Sequence, residues 1–205
     1  MLTFNPETHE YRKENGDVVP SVTQIINEWI KVTIGGERWH INRFTGAAIP
    51  SRKMEEGAAK GSDLHKGAQL ILQGGIDWAS LADEYVKPLK QFEQWLKDFQ
   101  PEALYTEAKV YHPRYNYAGM IDLVMVLDKK LFIVDIKTGG YSRCAGLQLA
   151  AYLEGWVTQE KYTGRTARAV LSLPKDGSSY KFEEITGDND FNLFRACLLL
   201  KGALK

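Results

Sequence analysis

Residues Tyr117–Leu127 read YAGMIDLVMVL and Leu131–Lys137 read LFIVDIK. Both runs are rich in β-branched and apolar residues, and only Asp128, Lys129 and Lys130 separate them. Two such runs around a short polar turn predict a β-hairpin. If Leu127 pairs with Lys130, the register places Asp122 directly opposite Asp135. Opposed residues share a face, with Cβ atoms roughly 4.5–5.5 Å apart. Lys137, two residues beyond Asp135, projects from that same face. Asp-Lys is a poor dipeptide for a tight primed turn, and a one-residue slip would send one carboxylate to the opposite face.

Two facing carboxylates repel, and their apolar neighbours half-bury them. Something positive must sit between them. A divalent cation would serve, with Lys137 helping, and oxygen ligands favour Mg²⁺ or Mn²⁺. A solvent-facing hairpin carrying two ordinary Asp residues is the competing interpretation.

The remaining segments add candidates. Glu55–Gln73 has helical periodicity, with Gly57, Gly61, Leu64, His65, Ala68, Ile71 and Leu72 near one stripe. The small residues one and two turns before His65 leave open space beside it, which suits a ligand; a core histidine is the alternative. Leu81–Gln100 is a second helix with an aromatic core face and Pro88 inside it. Leu104–Tyr111 alternates as a strand, with Tyr105, Glu107, Lys109 and Tyr111 on one face. Glu107 is therefore a candidate third carboxylate, or a partner for Lys109 or Lys137. After Thr138-Gly139-Gly140, Ser142 can cap a helix reaching about Gln159, on which Gln148 and Tyr152 share a face. Gln148 could hold a phosphate or a water, and Tyr152 a backbone; both also suit the rim of a packed helix.

Near the start, Leu2–Phe4 and Glu10–Lys13 predict short strands. Ser21 with Gln24 forms a capping box for a helix whose face includes Val22, Ile25, Ile26, Trp29 and Ile30. Ser21 is also a candidate substrate contact. Residues 31–54 predict loops with a short helix at Trp39–Phe44, and Arg38, Arg43, Arg52 and Lys53 there could touch phosphates or form a solvated face. Toward the end, Arg165–Leu173 and Tyr180–Ile185 predict strands around Lys175-Asp176-Gly177. Asp188 or Asp190 then caps a last helix with Phe191, Phe194, Leu198 and Leu199 inward.

Bulk properties set limits. The 205 residues suit one domain over 1–205. Lys+Arg and Asp+Glu both number 26, so global charge points neither toward nor away from nucleic acid. The two cysteines, Cys144 and Cys197, exclude a four-cysteine zinc or iron–sulfur site within the chain and suggest a reducing compartment. No apolar run approaches the ~18 residues of a membrane span, and no signal peptide is visible.

Four short motifs occur in order: Gly61 to His65 as G-x-x-x-H, Gly119 to Asp122 as G-x-x-D, Asp135 to Lys137 as D-x-K, and Gln148 to Tyr152 as Q-x-x-x-Y. Each is weak alone; together they resemble the PD-(D/E)XK nuclease superfamily. The likeness is strongest to the branch with the RecB nuclease domain, the mitochondrial genome maintenance exonuclease and many phage-encoded exonucleases. The resemblance implies an α/β fold, a mixed central sheet flanked by helices, and hydrolysis of DNA ends. It implies that His65, Asp122, Asp135 and the carbonyl of Ile136 hold Mg²⁺ or Mn²⁺. Lys137 would orient the attacking water or stabilise the transition state, and Gln148 and Tyr152 would position the strand. Glu107 matches none of the four motifs. The implied partners are single- or double-stranded DNA ends and a recombination or replication protein, with no membrane. The implied setting is the cytoplasm of a bacterium or phage-infected cell. A structure-specific endonuclease and a non-catalytic binding module on the same scaffold are the rivals.

Overall fold

A computed structural model describes residues 2–5, 8, 10–26, 29–42 and 46–203. The chain opens with three short strands, β1 (Thr3–Asn5), β2 (Glu10–Arg12) and β3 (Val18–Val19), and the helix α1 (Val22–Ile26). Strands β4 (Trp29–Ile34), β5 (Glu37–Asn42) and β6 (Ala48–Pro50) form a separate antiparallel sheet, followed by helices α2 (Ser51–Leu72) and α3 (Asp83–Phe99). Then come β7 (Glu102–His112), β8 (Tyr117–Leu127), β9 (Lys130–Lys137), α4 (Cys144–Glu160), β10 (Thr166–Ser172), β11 (Lys181–Glu184) and α5 (Asp190–Ala203).

The central sheet has the order β11-β10-β9-β8-β7. Its β9–β10 pair is parallel and the other pairs are antiparallel, so the sheet is mixed. A parallel pair needs a crossover, and α4 supplies it. Helices cover both faces. Leu131 and Ile133 of β9 pack with Leu149 and Trp156 of α4, and Phe132, Val134 and Ile136 pack with Leu64 of α2 and Phe92 and Trp95 of α3. Burial on both faces explains why β9 reads as a continuous apolar run rather than an alternation.

The hairpin has the predicted register: Leu127 pairs with Lys130, and the ladder continues to Leu123 and Val134. Its turn residues Asp128 and Lys129 have φ of 49° and 60°, as a type I′ turn requires, although neither is glycine. The ladder stops one step short of Asp122 and Asp135. There the alternation of β8 changes phase. Tyr117 and Ile121 face α4, whereas Leu123 and Met125 face α2 and α3. On β7 the same happens at Glu107, whose φ is 48°. Tyr105 contacts Trp156 on the α4 side, Thr106 accepts a hydrogen bond from Gln69 of α2, and Ala108 and Val110 return to the α4 side. The expected common face from Tyr105 to Tyr111 is therefore broken at Glu107. Local irregularities of this kind re-aim side chains beside functional sites.

Other boundaries differ from expectation. The segment expected to hold loops and a helix at Trp39–Phe44 is instead the β4–β6 sheet, with Phe44 outside the described residues. Gly35 and Gly36, with φ of 58° and 83°, make the turn between β4 and β5. Trp29, expected on the α1 face, begins β4. The helix α2 starts at Ser51 rather than Glu55. Leu199, expected inward, is exposed, whereas Phe194 is fully buried.

Candidate active site

The hairpin, α2 and α4 converge where the β8–β9 ladder ends. Asp122 sits at that end, and its Oδ2 accepts a hydrogen bond from the Ile136 backbone N–H at 2.8 Å. A side chain here takes the place of a ladder carbonyl, which pins Asp122 against β9. His65 reaches the same spot from α2, whose Leu64 and Ala68 are buried in the core. Its Nε2 lies 3.0 Å from the Ile136 carbonyl oxygen and 3.5 Å from Asp122 Oδ2. Nothing would contact a Cβ placed on Gly57 or Gly61, so the helix is open along the two turns before His65.

Asp135 belongs to the α4 side of β9 and is almost completely buried. Lys137 Nζ lies 3.1 Å from its Oδ1 and 2.9 Å from its Oδ2, and Gln148 Nε2 is 3.5 Å from Oδ1. Oδ2 has the close ammonium but no well-directed hydrogen bond. Burial pushes the Asp135 carboxyl up to about 6, against the pull of Lys137, and the Asp122 carboxylate adds to the rise. That mutual effect places the two carboxylates within electrostatic reach of each other.

The glycine of G-x-x-D has a steric reason. A Cβ on Gly119 would overlap the ring of Tyr152, so the bare backbone of β8 lets α4 approach and seats that ring. Gln148 Nε2 donates to the Tyr152 hydroxyl at 3.2 Å. Burial, followed by the nearby Asp122 charge, raises the Tyr152 phenol well above its ordinary range and keeps it neutral.

The donor set suits a hard divalent cation. His65 Nε2 donates to the Ile136 carbonyl at 3.0 Å; two cis ligands about 2.1 Å from an octahedral ion also stand about 3 Å apart, so an ion could replace that proton with little movement. Asp135 adds a buried carboxylate oxygen with unused acceptor capacity. Among the described residues no three His, Cys, Asp or Glu side chains cluster tightly enough to form a ligand set alone, so the Ile136 carbonyl matters to the fit.

A family model for the PD-(D/E)XK nuclease superfamily matches residues 37–198, most of the chain. The chain belongs to the PD-(D/E)XK nuclease superfamily. The mixed sheet flanked by helices agrees with the restriction-endonuclease-like fold of that superfamily. Membership implies nuclease activity on a nucleic acid, and PD-(D/E)XK nucleases typically use divalent metals. No curated protein matches the sequence. No described helix is long and apolar enough to cross a membrane.

Glu107 is exposed, opposite Asp122 in the β7–β8 register. Neither Lys109 nor Lys137 forms an ion pair with it among the described residues. The Ser21 hydroxyl accepts the Gln24 N–H at 3.1 Å and contacts Thr23, so it serves the cap of α1. Arg38 is exposed on β5, and Arg52 and Lys53 are exposed at the start of α2, with Arg52 paired to Glu56 at 3.2 Å. Arg43 lies outside the described residues.

Sequence reasoning missed one feature. A cleft of about 690 Å³ extends from Lys137 and Gln148 to Trp29 and Lys31 of β4 and His40 and Asn42 of β5. The signal was present: Gly35-Gly36 between two strand-like runs is a hairpin turn.

Proposed function

We propose that this protein is a Mg²⁺- or Mn²⁺-dependent deoxyribonuclease that hydrolyses linear DNA from its ends, as in the RecB-like and phage-type exonucleases. The supporting observation is the meeting of His65 Nε2, Asp122 Oδ2 and the Ile136 carbonyl, with Asp135 and Lys137 alongside. In this proposal those three groups and Asp135 hold the cation. When bound, the ion would lower the pKa of its water and polarise the scissile phosphate.

The chain's own residues supply the rest. Lys137 keeps a fixed positive charge at the phosphate and orients the attacking water, while Asp135 holds the ammonium in place. Gln148 and Tyr152 line the strand's path from α4; their mutual hydrogen bond fixes the amide, whose other Nε2 hydrogen faces Asp135 Oδ1 at 3.5 Å. Water oxygen bonds to phosphorus, the bond from phosphorus to one sugar oxygen breaks, and the departing oxygen takes up a proton. Two strand ends result, with no covalent enzyme intermediate. Glu107 is an accessory carboxylate at the rim. Arg38, Arg52 and Lys53, all exposed, are outlying substrate contacts, and Ser21 acts through the α1 cap.

DNA labelled at one end tests the proposal. Stepwise release of label in Mn²⁺, stopped by chelator and absent in Asp122→Asn, is the expected result. Cutting of closed circular DNA would favour a structure-specific endonuclease. Tight DNA binding without cleavage under any metal would favour a binding module.

A further inference from the structure

We propose that the cleft at the carboxyl ends of β9 and β10 is a product site, in which Ser172, Lys181 and Lys175 hold the phosphate of a released nucleoside monophosphate. This rests on the nuclease reading, to which it adds the place where one of the two products sits before it leaves.

The sheet register carries the assignment. Ser172 is the partner of Lys137 in the parallel β9–β10 ladder, and Lys181 is the partner of Ser172 in the β10–β11 ladder. Partnered residues point to one face of a sheet, so Lys137, Ser172 and Lys181 form a row across three strands. With neighbouring strands about 4.8 Å apart, Ser172 stands one spacing from Lys137 and Lys181 stands two, about 10 Å. The face is the one under α4. Val170, two residues before Ser172, packs with Leu149, whereas Phe182, next to Lys181, packs on the opposite side with Trp95. The row therefore runs from the reacting lysine out to β11, the edge strand.

The cleft over this row suits a small anion that must leave again. Ligands of open α/β sheets bind outside the carboxyl ends of parallel strands, and β9 and β10 are the parallel pair here. Their ends are tied together by the Leu173 N–H, which donates to the Lys137 carbonyl at 2.7 Å. The residues that follow each strand, 138–141 and 174–176, line the cleft. Neither Lys175 nor Lys181 forms an ion pair among the described residues. Both carboxylates of the wall already accept hydrogen bonds: Asp176 from the Ser178 N–H at 2.9 Å and hydroxyl at 2.8 Å, and Glu183 from the Tyr141 hydroxyl at 3.2 Å. The four charges of the wall sum to zero, so a long polyanion gains little. A phosphate monoester carries nearly two negative charges at neutral pH, against one for a diester linkage. It gains from both ammonium groups and is still released readily.

Gly140 and Tyr141 line this cleft and also the one that reaches Trp29, so they form the partition between the two. Hydrolysis leaves two pieces on opposite sides of the scissile phosphate, and the two clefts lie on opposite sides of that partition. The Tyr141 ring and Pro174 add apolar surface for the base of the smaller piece.

The test is calorimetric titration of the metal-free protein, in chelator, with thymidine monophosphate, thymidine and inorganic phosphate. The monophosphate should bind more tightly than either fragment. Lys181→Ala should weaken its binding about tenfold, as loss of a charge-assisted hydrogen bond does, and Lys181→Arg should restore most of it. Ser172→Ala should weaken it about fivefold. Lys97→Ala, on α3 across the sheet, should bind like wild type. Lys181 is exposed, so its variants fold whatever the outcome. Monophosphate bound no more tightly than thymidine or phosphate would overturn the assignment, as would a Lys181→Ala protein with wild-type affinity. Failure of the nuclease reading would look different: the monophosphate would still bind through Lys181 while DNA stayed intact in Mn²⁺.

Discussion

Replacing Asp135 by Asn should stabilise the metal-free protein while abolishing cleavage. Asp135 is nearly sealed from solvent, and its carboxyl is raised from 3.8 to about 6, chiefly by burial. A raised carboxyl means that the folded protein holds this proton more tightly than the unfolded chain does. Between about pH 4 and 6 the native state therefore carries more protons than the unfolded state, and stability falls as pH rises across that window. At about 1.4 kcal/mol per pH unit, the full difference is about 3 kcal/mol above pH 6. Asn mimics the protonated acid in shape and does not titrate. Urea unfolding of both proteins in chelator should give similar stabilities near pH 4. At pH 8 Asp135→Asn should be more stable by up to about 3 kcal/mol. Equal gaps at both pH values, or a variant that is less stable at pH 8 than at pH 4 relative to wild type, would refute the claim that the native site holds an electrostatically costly carboxylate.

Four other outcomes follow from the same geometry. Gly119→Ala should displace the Tyr152 ring, lowering stability by about 1–3 kcal/mol and activity at least tenfold, read by thermal melting and by cleavage rate. His65→Ala should leave the metal-free melting temperature nearly unchanged, because the side chain is partly exposed. It should remove most of the Mn²⁺-induced stabilisation, which reaches about 2.7 kcal/mol at a hundredfold excess over Kd. Ser21→Ala should cost about 1 kcal/mol through loss of the α1 cap with the cleavage rate per folded molecule intact, which separates capping from substrate contact. Lys129→Gly should raise stability by about 1 kcal/mol in urea unfolding, because Lys129 adopts φ of 60° in the hairpin turn without being glycine.

The order of strands and helices around the candidate site was legible because it follows from local rules. The hairpin register, Leu127 opposite Lys130, follows from two apolar runs and a short turn, but the expected pairing of Asp122 with Asp135 lies one step beyond the ladder, which ends at Leu123 and Val134. The steric logic of G-x-x-D was not legible, since the Tyr152 ring that needs Gly119 bare comes from α4, 33 residues later in the chain. The phase change at Glu107 and Asp122 was equally hidden. Strict alternation is the default for a strand, and nothing local marks Glu107 for positive φ. The β4–β6 sheet was lost for a different reason. Its strands carry Lys31, Arg38 and His40 among apolar residues, which blurred the two-residue period, and its glycines suggested loops instead of a tight hairpin turn. The cleft lined by Trp29 and Lys31 went unseen with it.

The central claim is that His65, Asp122, Asp135 and the Ile136 carbonyl hold a catalytic cation beside Lys137. Cleavage of end-labelled linear DNA measured across a Mn²⁺ titration, for wild type and Lys137→Ala, tests it most directly. The account predicts saturable, metal-dependent hydrolysis by wild type and retained metal binding with at least a hundredfold slower cleavage in Lys137→Ala. Hydrolysis that persists in excess chelator, or a Lys137→Ala enzyme as fast as wild type, would contradict it.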